Sequence, residues 1–336
     1  MKALVWHGPW QMTVEEIPDP VPGPGQVLVA VKAVGICGSD VHGYTGGTGR
    51  RWPGMVMGHE FAGQVVEVGP GVTRARPGDP VVVSPMFSVA PRPEQGPLNQ
   101  SPHRRLLGVE VNGAYAERVV VQEEQLYPKP SELRWHWAAL CEPLAVALHA
   151  VQRASIPLLG SVAVIGAGPI GLLTLLAARL RGAGPIFVTD RNPRRLARAQ
   201  ELGAHRTIHV DREDPVEIIR AATDGGVDAA LEAVGLEATA QQALHVVRNG
   251  GHVTWIGNWA REIQVDMQWV VTREITVRGS YAFTPEEFGV AVQVLATGRL
   301  PVASLIEKIA PLEDGPTLFR QLAAGEQDWI KVILEP

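Results

Sequence analysis

Cysteine is almost absent: Cys37 and Cys141 are the only two in 336 residues. Two thiols cannot build a disulfide framework, and their scarcity points to a reducing compartment, the cytoplasm. An excess of one charge is lacking too. Thirty Lys+Arg face 35 Asp+Glu, a formal net charge of -5 with a pI of about 6.1. That balance speaks against nucleic acid or an anionic membrane as the main partner. No apolar run reaches the roughly 18 residues of a membrane span. Met1–Trp6 reads as the start of a strand, with no apolar signal core. What is present is a high apolar fraction, 46% against 19% charged. That suffices for a sizeable core, and the length suits two domains.

The first 80 residues read as short strands between Gly/Pro turns. Gln26–Lys32, Phe61–Gly69 and Pro80–Val83 are apolar and β-branched, which predicts a β-rich, barrel-like domain. Ser84–Leu107 carries five prolines (Pro85, Pro91, Pro93, Pro97, Pro102) and reads as an extended loop or lobe. A strand is expected within Gly113–Val121 and helical spacing over Trp135–Arg153. After Pro157 the pattern changes. Strands Ser161–Ile165, Ile186–Thr189, Arg206–Val210, Asp228–Glu232 and His252–Ile256 alternate with helices Pro169–Arg181, Pro193–Leu202, Pro215–Ala222 and Glu237–Val247. Such alternation predicts βαβ units and a parallel sheet, hence an α/β fold. A helix over Glu286–Thr297 and a strand over Ile330–Leu334 close the chain.

Gly166-Ala-Gly168-Pro169-Ile170-Gly171 follows the first of these strands and opens a helix. Each glycine has its own reason: Gly166 permits a tight turn, Gly168 lets backbone approach a pyrophosphate, and Gly171 lets helix and strand pack closely. Pro169 suits a first helical turn, and the helix N-terminus offers free N–H groups to phosphate. Asp190 ends the next strand, 19 residues after Gly171. A carboxylate there bonds ribose hydroxyls and repels a 2′-phosphate, which favours NAD over NADP. Arg191, with Arg194 and Arg195, could instead attract that phosphate or flank the adenine. The expected cofactor-binding set is Gly166, Gly168, Pro169, Ile170, Gly171, Asp190, Arg191 and Arg195 with Val234, Ile256, Ser280 and Tyr281.

Cys37, His59 and Glu142 are all ordinary zinc ligands, and three protein ligands leave a fourth position open for water or substrate. Their separations, 22 and 83 residues, are far from those of a zinc finger. Spacing alone is equally compatible with a buried small cysteine, a hydrogen-bonded histidine and an acid at a helix start.

The words Gly35-Ile-Cys-Gly-Ser-Asp-Val-His42, Gly58-His-Glu60, Glu142-Pro-Leu-Ala-Val-Ala-Leu-His149 and Gly166–Gly171 occur in order. So do Gly250–Gly257 and Arg273–Gly279. On these the chain resembles the zinc-dependent medium-chain alcohol dehydrogenase/reductases, and most of all their polyol (sorbitol-type) branch. The resemblance implies a GroES-like catalytic domain over 1–153, a Rossmann domain over 154–284, and a tail, 285–336, that returns to the first. It implies zinc on Cys37, His59 and Glu142, with Glu60 near the metal, Ser39 and His42 as a proton relay, and Asp40 behind the ligands. Cys141 makes Cys37/His59/Cys141 a rival set, but the Glu-Pro-Leu-Ala word places Glu142 at the ligand position. The lobe has no cysteine where the family often binds a structural zinc, so one zinc per subunit is expected.

The implied activity is hydride transfer between the alcohol carbon of a polyol or sugar alcohol and NAD. The same chemistry on a sugar-alcohol phosphate, threonine or a vicinal diol is an alternative. So are a zinc-free quinone or enone reductase and a non-catalytic NAD-binding protein. Tyr44, Trp52 and Tyr115 are candidate pocket walls or plain core residues. A homodimer or homotetramer is expected by analogy, through Trp255–Gly279.

Overall fold

The computed structural model describes residues 1–90 and 96–336. These form two compact units, Met1–Glu142 with Thr284–Pro336, and Pro143–Phe283. Among the described residues no helix is long and apolar enough to cross a membrane.

The first unit is built on β-strands. Its main sheet runs Leu126–Pro128, Pro80–Val83, Glu60–Val68, Gln26–Gly35, Lys331–Glu335, Ile306–Pro311, with Arg118–Gln122 also paired to Gln26–Gly35. Val27, Val29 and Val31 enter one core with Phe61, Val65, Val81 and Val83, so the β-branched runs seen in the sequence are the sheet's inner residues. The central pair is antiparallel and its register slips twice, at Leu28/Val29 and Val31/Ala33. Such bulges bend and twist a sheet. The register ends with Gly35 opposite Glu60. Gly35 has to be glycine there, because a Cβ would collide with the Glu60 carboxylate. On the other side Ile333 pairs with Gly35, so the C-terminal strand joins the same sheet.

The lobe differs from its reading as an extended loop. Met86–Ser88 and Arg104–Leu106 form an antiparallel ribbon, and Leu98–Gln100 is a single 3-10 turn. Three-residue strands are too short to leave an alternation in the sequence. Pro91 and Pro93 lie outside the described residues.

The second unit is a six-stranded sheet in the order Arg206–His209, Ile186–Asp190, Val162–Ile165, Val227–Glu232, Val247–Trp255, Thr276–Gly279. Every neighbouring pair is parallel. With Val162–Ile165 as the first strand, this is the 3-2-1-4-5-6 Rossmann order. Val162–Ile165 is buried throughout, as a strand covered on both faces must be. Two of its helices begin where the sequence supplies a side-chain cap and a proline. The Asn192 side chain accepts from the N–H groups of Arg194 and Arg195, Asp214 from those of Val216 and Glu217, and a proline follows each cap. One helix, Met267–Thr272, has no counterpart in the sequence reading; six residues give less than two turns of period. Ile165 stands level with Glu232, Glu232 with Trp255, and Trp255 with Gly279. The carboxyl ends of the strands therefore form one rim.

Candidate functional site

The first constellation lies where Gly35 meets Glu60. Two residues past the end of one strand is Cys37; one residue before the start of the other is His59. Antiparallel pairing thus closes the 22-residue gap between them. Cys37 is the N-cap of the helix Gly38–Tyr44, and its carbonyl accepts from the N–H groups of Asp40 and Val41. Among the described residues Cys37, His59 and Glu60 form a group whose ligand atoms all lie within 4.8 Å of one another. His59 and Glu60 are buried, 4% and 1% exposed.

Charge in this pocket is unbalanced. Asp40 is fully buried; its Oδ2 lies 3.4 Å from His59 Nδ1, and its Oδ1 accepts from Arg51 Nη2 at 3.1 Å. The 3.4 Å contact is an ion-pair distance without hydrogen-bond alignment, since His59 Nδ1 makes no hydrogen bond. Burial pulls the His59 pKa down, but the Asp40 carboxylate and the Cys37 sulfur outweigh it and hold the imidazole well above its ordinary value. Burial pushes the Asp40 carboxyl up, yet His59, Arg51 and Tyr115 together hold it below the usual range. Lys331 Nζ donates to both Glu60 oxygens, at 2.6 and 2.9 Å, and to Ile36 O at 3.1 Å. Desolvation lowers the Lys331 pKa, and Glu60 and Cys37 more than restore it, so the ammonium stays charged.

Glu142 opens the helix Cys141–Arg153 and is 8% exposed. Burial pushes its carboxyl up to about 7, opposed by His59 and reinforced by Glu60. It feels the group electrostatically but is not among the three with ligand atoms inside 4.8 Å. Cys141 is fully buried and its thiol is pushed far up by desolvation; it too lies outside the group. A thiol, an imidazole and buried carboxylates, with the imidazole driven toward its cationic form, are a donor set that a divalent cation would neutralise. The residues present fit zinc.

Ser39 and His42 sit three apart on the helix Gly38–Tyr44 and share a face. The Ser39 hydroxyl donates to Cys37 Sγ at 3.3 Å. His42 is partly buried, and desolvation holds its pKa below the ordinary 6.5. Gly47 lies against its ring, where a Cβ would collide. Tyr44 and Tyr115 are core residues, 3% and 0% exposed, whereas Trp52 is 42% exposed.

The second constellation lies along the rim of the parallel sheet. Gly166 turns with φ +95°, and Val234 Cγ2 stands 2.6 Å from where its Cβ would be. A Cβ on Gly171 would strike the Gly166 carbonyl, whereas nothing stands within 4 Å of one on Gly168. The turn is thus closed on the protein side and open where a pyrophosphate would approach. Pro169 and Ile170 begin the helix Pro169–Leu180. Asp190 Oδ2 accepts from Ala167 N at 2.6 Å and Oδ1 from Asn192 N at 2.8 Å, which ties the glycine turn to the next strand. Arg191 points outward, 75% exposed, 3.4 Å from Asp211. Arg195 N donates to the Asn192 cap, and its Nε is buried without a hydrogen bond. Ile256 N donates to Glu232 O, and Ser280 N to Trp255 O, both at 2.8 Å. Among the described residues Ser280 Oγ is buried without a hydrogen-bond partner, and Tyr281 is 36% exposed.

Three residues escaped the sequence reading of the site, and a fourth, Tyr115, has a different role from the one read there. Lys331 sits on a strand 271 residues from Glu60. Arg51 lies in a glycine-rich stretch that carries no periodic signal. Tyr115 looked like a pocket wall, but its hydroxyl donates to Asp40 Oδ2 at 2.7 Å. Glu232, 1% exposed, accepts from Val234 N and Gly235 N at 2.8 and 2.7 Å; a buried acid at a strand end was the signal available for it.

Two families of known proteins match separate stretches of the chain. Residues 23–131 match the alcohol dehydrogenase GroES-like domain family, and residues 169–297 the zinc-binding dehydrogenase family. The chain is 34% identical to (R,R)-butanediol dehydrogenase of Bacillus subtilis, covering 100% of both chains. It is 34% identical to sorbitol dehydrogenase of Halalkalibacterium halodurans, covering 100% of this chain and 99% of that one. A solved structure of a zinc-binding dehydrogenase from Sinorhizobium meliloti bound to NADP superposes with a TM-score of 0.92 at 31% identity, over 100% of this chain and 99% of that one.

Proposed function

Because the chain belongs to the zinc-dependent medium-chain alcohol dehydrogenase/reductase superfamily, in its polyol dehydrogenase branch, we propose that it moves a hydride between the alcohol carbon of a polyol or sugar alcohol and NAD. The observation that carries this reading is the half-buried thiol of Cys37 beside the buried imidazole of His59 and carboxylate of Glu60. A zinc-free reductase would have no use for that group. Zinc held by this group would supply Lewis acidity for an alcohol oxygen, and a nicotinamide held at the glycine turn would supply the hydride-accepting ring.

Cys37 and His59 are the ligands common to every set considered. Glu60, within ligand reach of both, is the third donor favoured by geometry; Glu142 is the one favoured by sequence. Zinc retained by Glu142→Gln and lost by Glu60→Gln would select the first. One zinc per subunit is supported by the count of two cysteines, the second of them buried in the core. The first unit is assigned catalysis and the second the nucleotide. NAD is favoured over NADP because a carboxylate, Asp190, ends the second Rossmann strand, while the neighbouring Arg191 is exposed and paired with Asp211.

Ser39 and His42 form the proposed path for the alcohol proton. His42 accepts that proton only when neutral, and its pKa lies below 6.5. Oxidation should therefore rise with pH through a limb below about 6.5 and be flat above it. His42→Ala should lower turnover roughly a hundredfold and erase the limb; an unchanged pH profile would remove His42 from the path.

A second substrate reading is a vicinal diol, favoured by the similarity to a butanediol dehydrogenase. One preparation, assayed for zinc and offered polyols, sugar alcohols, sugar-alcohol phosphates, threonine and 2,3-butanediol with NAD or NADP, separates these readings. About one zinc per chain and reduced cofactor with a polyol or diol is expected. No zinc, or no reduced cofactor with any substrate, would overturn the proposal.

We assign the molecule a homodimer or homotetramer. Support comes from the strand Thr276–Gly279, which among the described residues has a neighbour on one side only, and from the helix before it, where Met267 and Val271 are 75% and 66% exposed.

A further inference from the structure

The Asp40 carboxylate is held from three sides, and only one of its partners is a candidate ligand. Oδ1 accepts from Arg51 Nη2 at 3.1 Å; Oδ2 accepts from Tyr115 OH at 2.7 Å and faces His59 Nδ1 at 3.4 Å. The Tyr115 hydroxyl has a single proton. Gly35 O lies at 3.0 Å, but the nearer carboxylate is the stronger acceptor. Arg51 is itself fixed. Its side chain is 2% exposed, Nη1 donates to Val109 O at 3.3 Å, and Nε reaches Met57 Sδ at 3.1 Å. Gly43 leaves the guanidinium its space, since a Cβ there would stand 3.0 Å from Nε. Gly58, at φ +97°, does the same for Tyr115, whose ring atoms begin 2.8 Å from the position of a Cβ. Two glycines therefore make room for two side chains that converge on one acid.

A buried arginine–aspartate pair is a poor way to gain stability, since apolar side chains of the same volume often do as well. It is a good way to fix a carboxylate, because a forked guanidinium and a hydroxyl together leave it one orientation. We propose that Arg51 and Tyr115 are positioning residues of the metal centre. They lock Asp40 so that Oδ2 meets His59 Nδ1, which leaves the other imidazole nitrogen free to ligate. Partners behind a metal-bound histidine set its tautomer, its orientation and its basicity. The inference rests on the zinc reading above and reaches past it, to two residues that touch neither metal nor substrate.

The test compares the parent with Arg51→Met and Tyr115→Phe. Zinc affinity is measured by competition with a chromophoric chelator, and the cobalt-substituted proteins are examined by visible absorption. Arg51→Met should weaken zinc about 10- to 100-fold, Tyr115→Phe should weaken it less, and both should shift the cobalt ligand-field bands. Zinc affinity within twofold of the parent, with unshifted bands in both variants, would overturn the proposal whatever their melting temperatures. If Arg51→Met does not fold, Tyr115→Phe, which removes one oxygen, decides alone by the same two readouts. A parent that binds no zinc would instead defeat the zinc reading, so the two failures are distinct.

Discussion

Cys37→Ser should lose zinc and dehydrogenase turnover together, and His59→Ala should do the same. Zinc lowers the pKa of a bound water from its high bulk value to about 7, a difference near 12 kcal/mol at about 1.36 kcal/mol per unit. Even a third of that, acting on the alcohol oxygen, is worth roughly a thousandfold, so a fall of at least about 10³ in kcat/KM is expected. The loss should be specific. NADH affinity should stay near the parent's, because the glycine turn and Asp190 belong to the other unit. Cys141→Ser should keep its zinc, since that sulfur is fully buried and outside the group of potential ligands. Metal analysis, steady-state rates and NADH fluorescence titration on the three variants decide the matter. A Cys37→Ser enzyme that keeps zinc and turns over would sink the assignment of the metal centre.

The nucleotide half of this argument was open to direct reading. Parallel strands are joined by helices long enough to show a period, and two of the helix starts are marked by a side-chain cap, Asn192 or Asp214, and a following proline. Gly166–Gly171 and Asp190 are placed by the chain itself, one strand apart. The metal half was legible only through resemblance. Its residues are brought together by strand pairing, which leaves no trace in spacing. Gly35 opposite Glu60 closes a gap of two dozen residues. Ile333 opposite Gly35 closes one of about three hundred and delivers Lys331. A lysine on a strand that otherwise reads Val-Ile-Leu was the visible anomaly, but nothing local names its partner. The carboxylates show the limit most plainly. The sequence words place Glu142 at the ligand position, whereas the sheet register sets Glu60 against Cys37 and His59.

Lys331→Met should destabilise the first unit more than any other single change outside the ligands. Lys331 and Glu60 are 2% and 1% exposed and pair at 2.6 Å, with the carboxylate seated in the space that Gly35, lacking a Cβ, leaves open. Removing one partner leaves a buried charge alone, which typically costs about 3–5 kcal/mol. For a body of roughly 200 residues that lowers the melting temperature by about 6–20 °C. The double variant Glu60→Gln/Lys331→Met removes both charges and should recover much of the loss, so the two effects will be far from additive. Zinc makes the prediction sharper. If Glu60 is a ligand, a cation beside it replaces the missing ammonium, and the stability lost by Lys331→Met should be smaller in zinc-loaded protein than after chelation. If Glu142 is the ligand instead, the metal offsets the Glu60 charge only through space, and the relief by zinc should be much smaller. Thermal unfolding of four proteins, each with and without chelator, therefore measures the buried pair and names the third ligand at once.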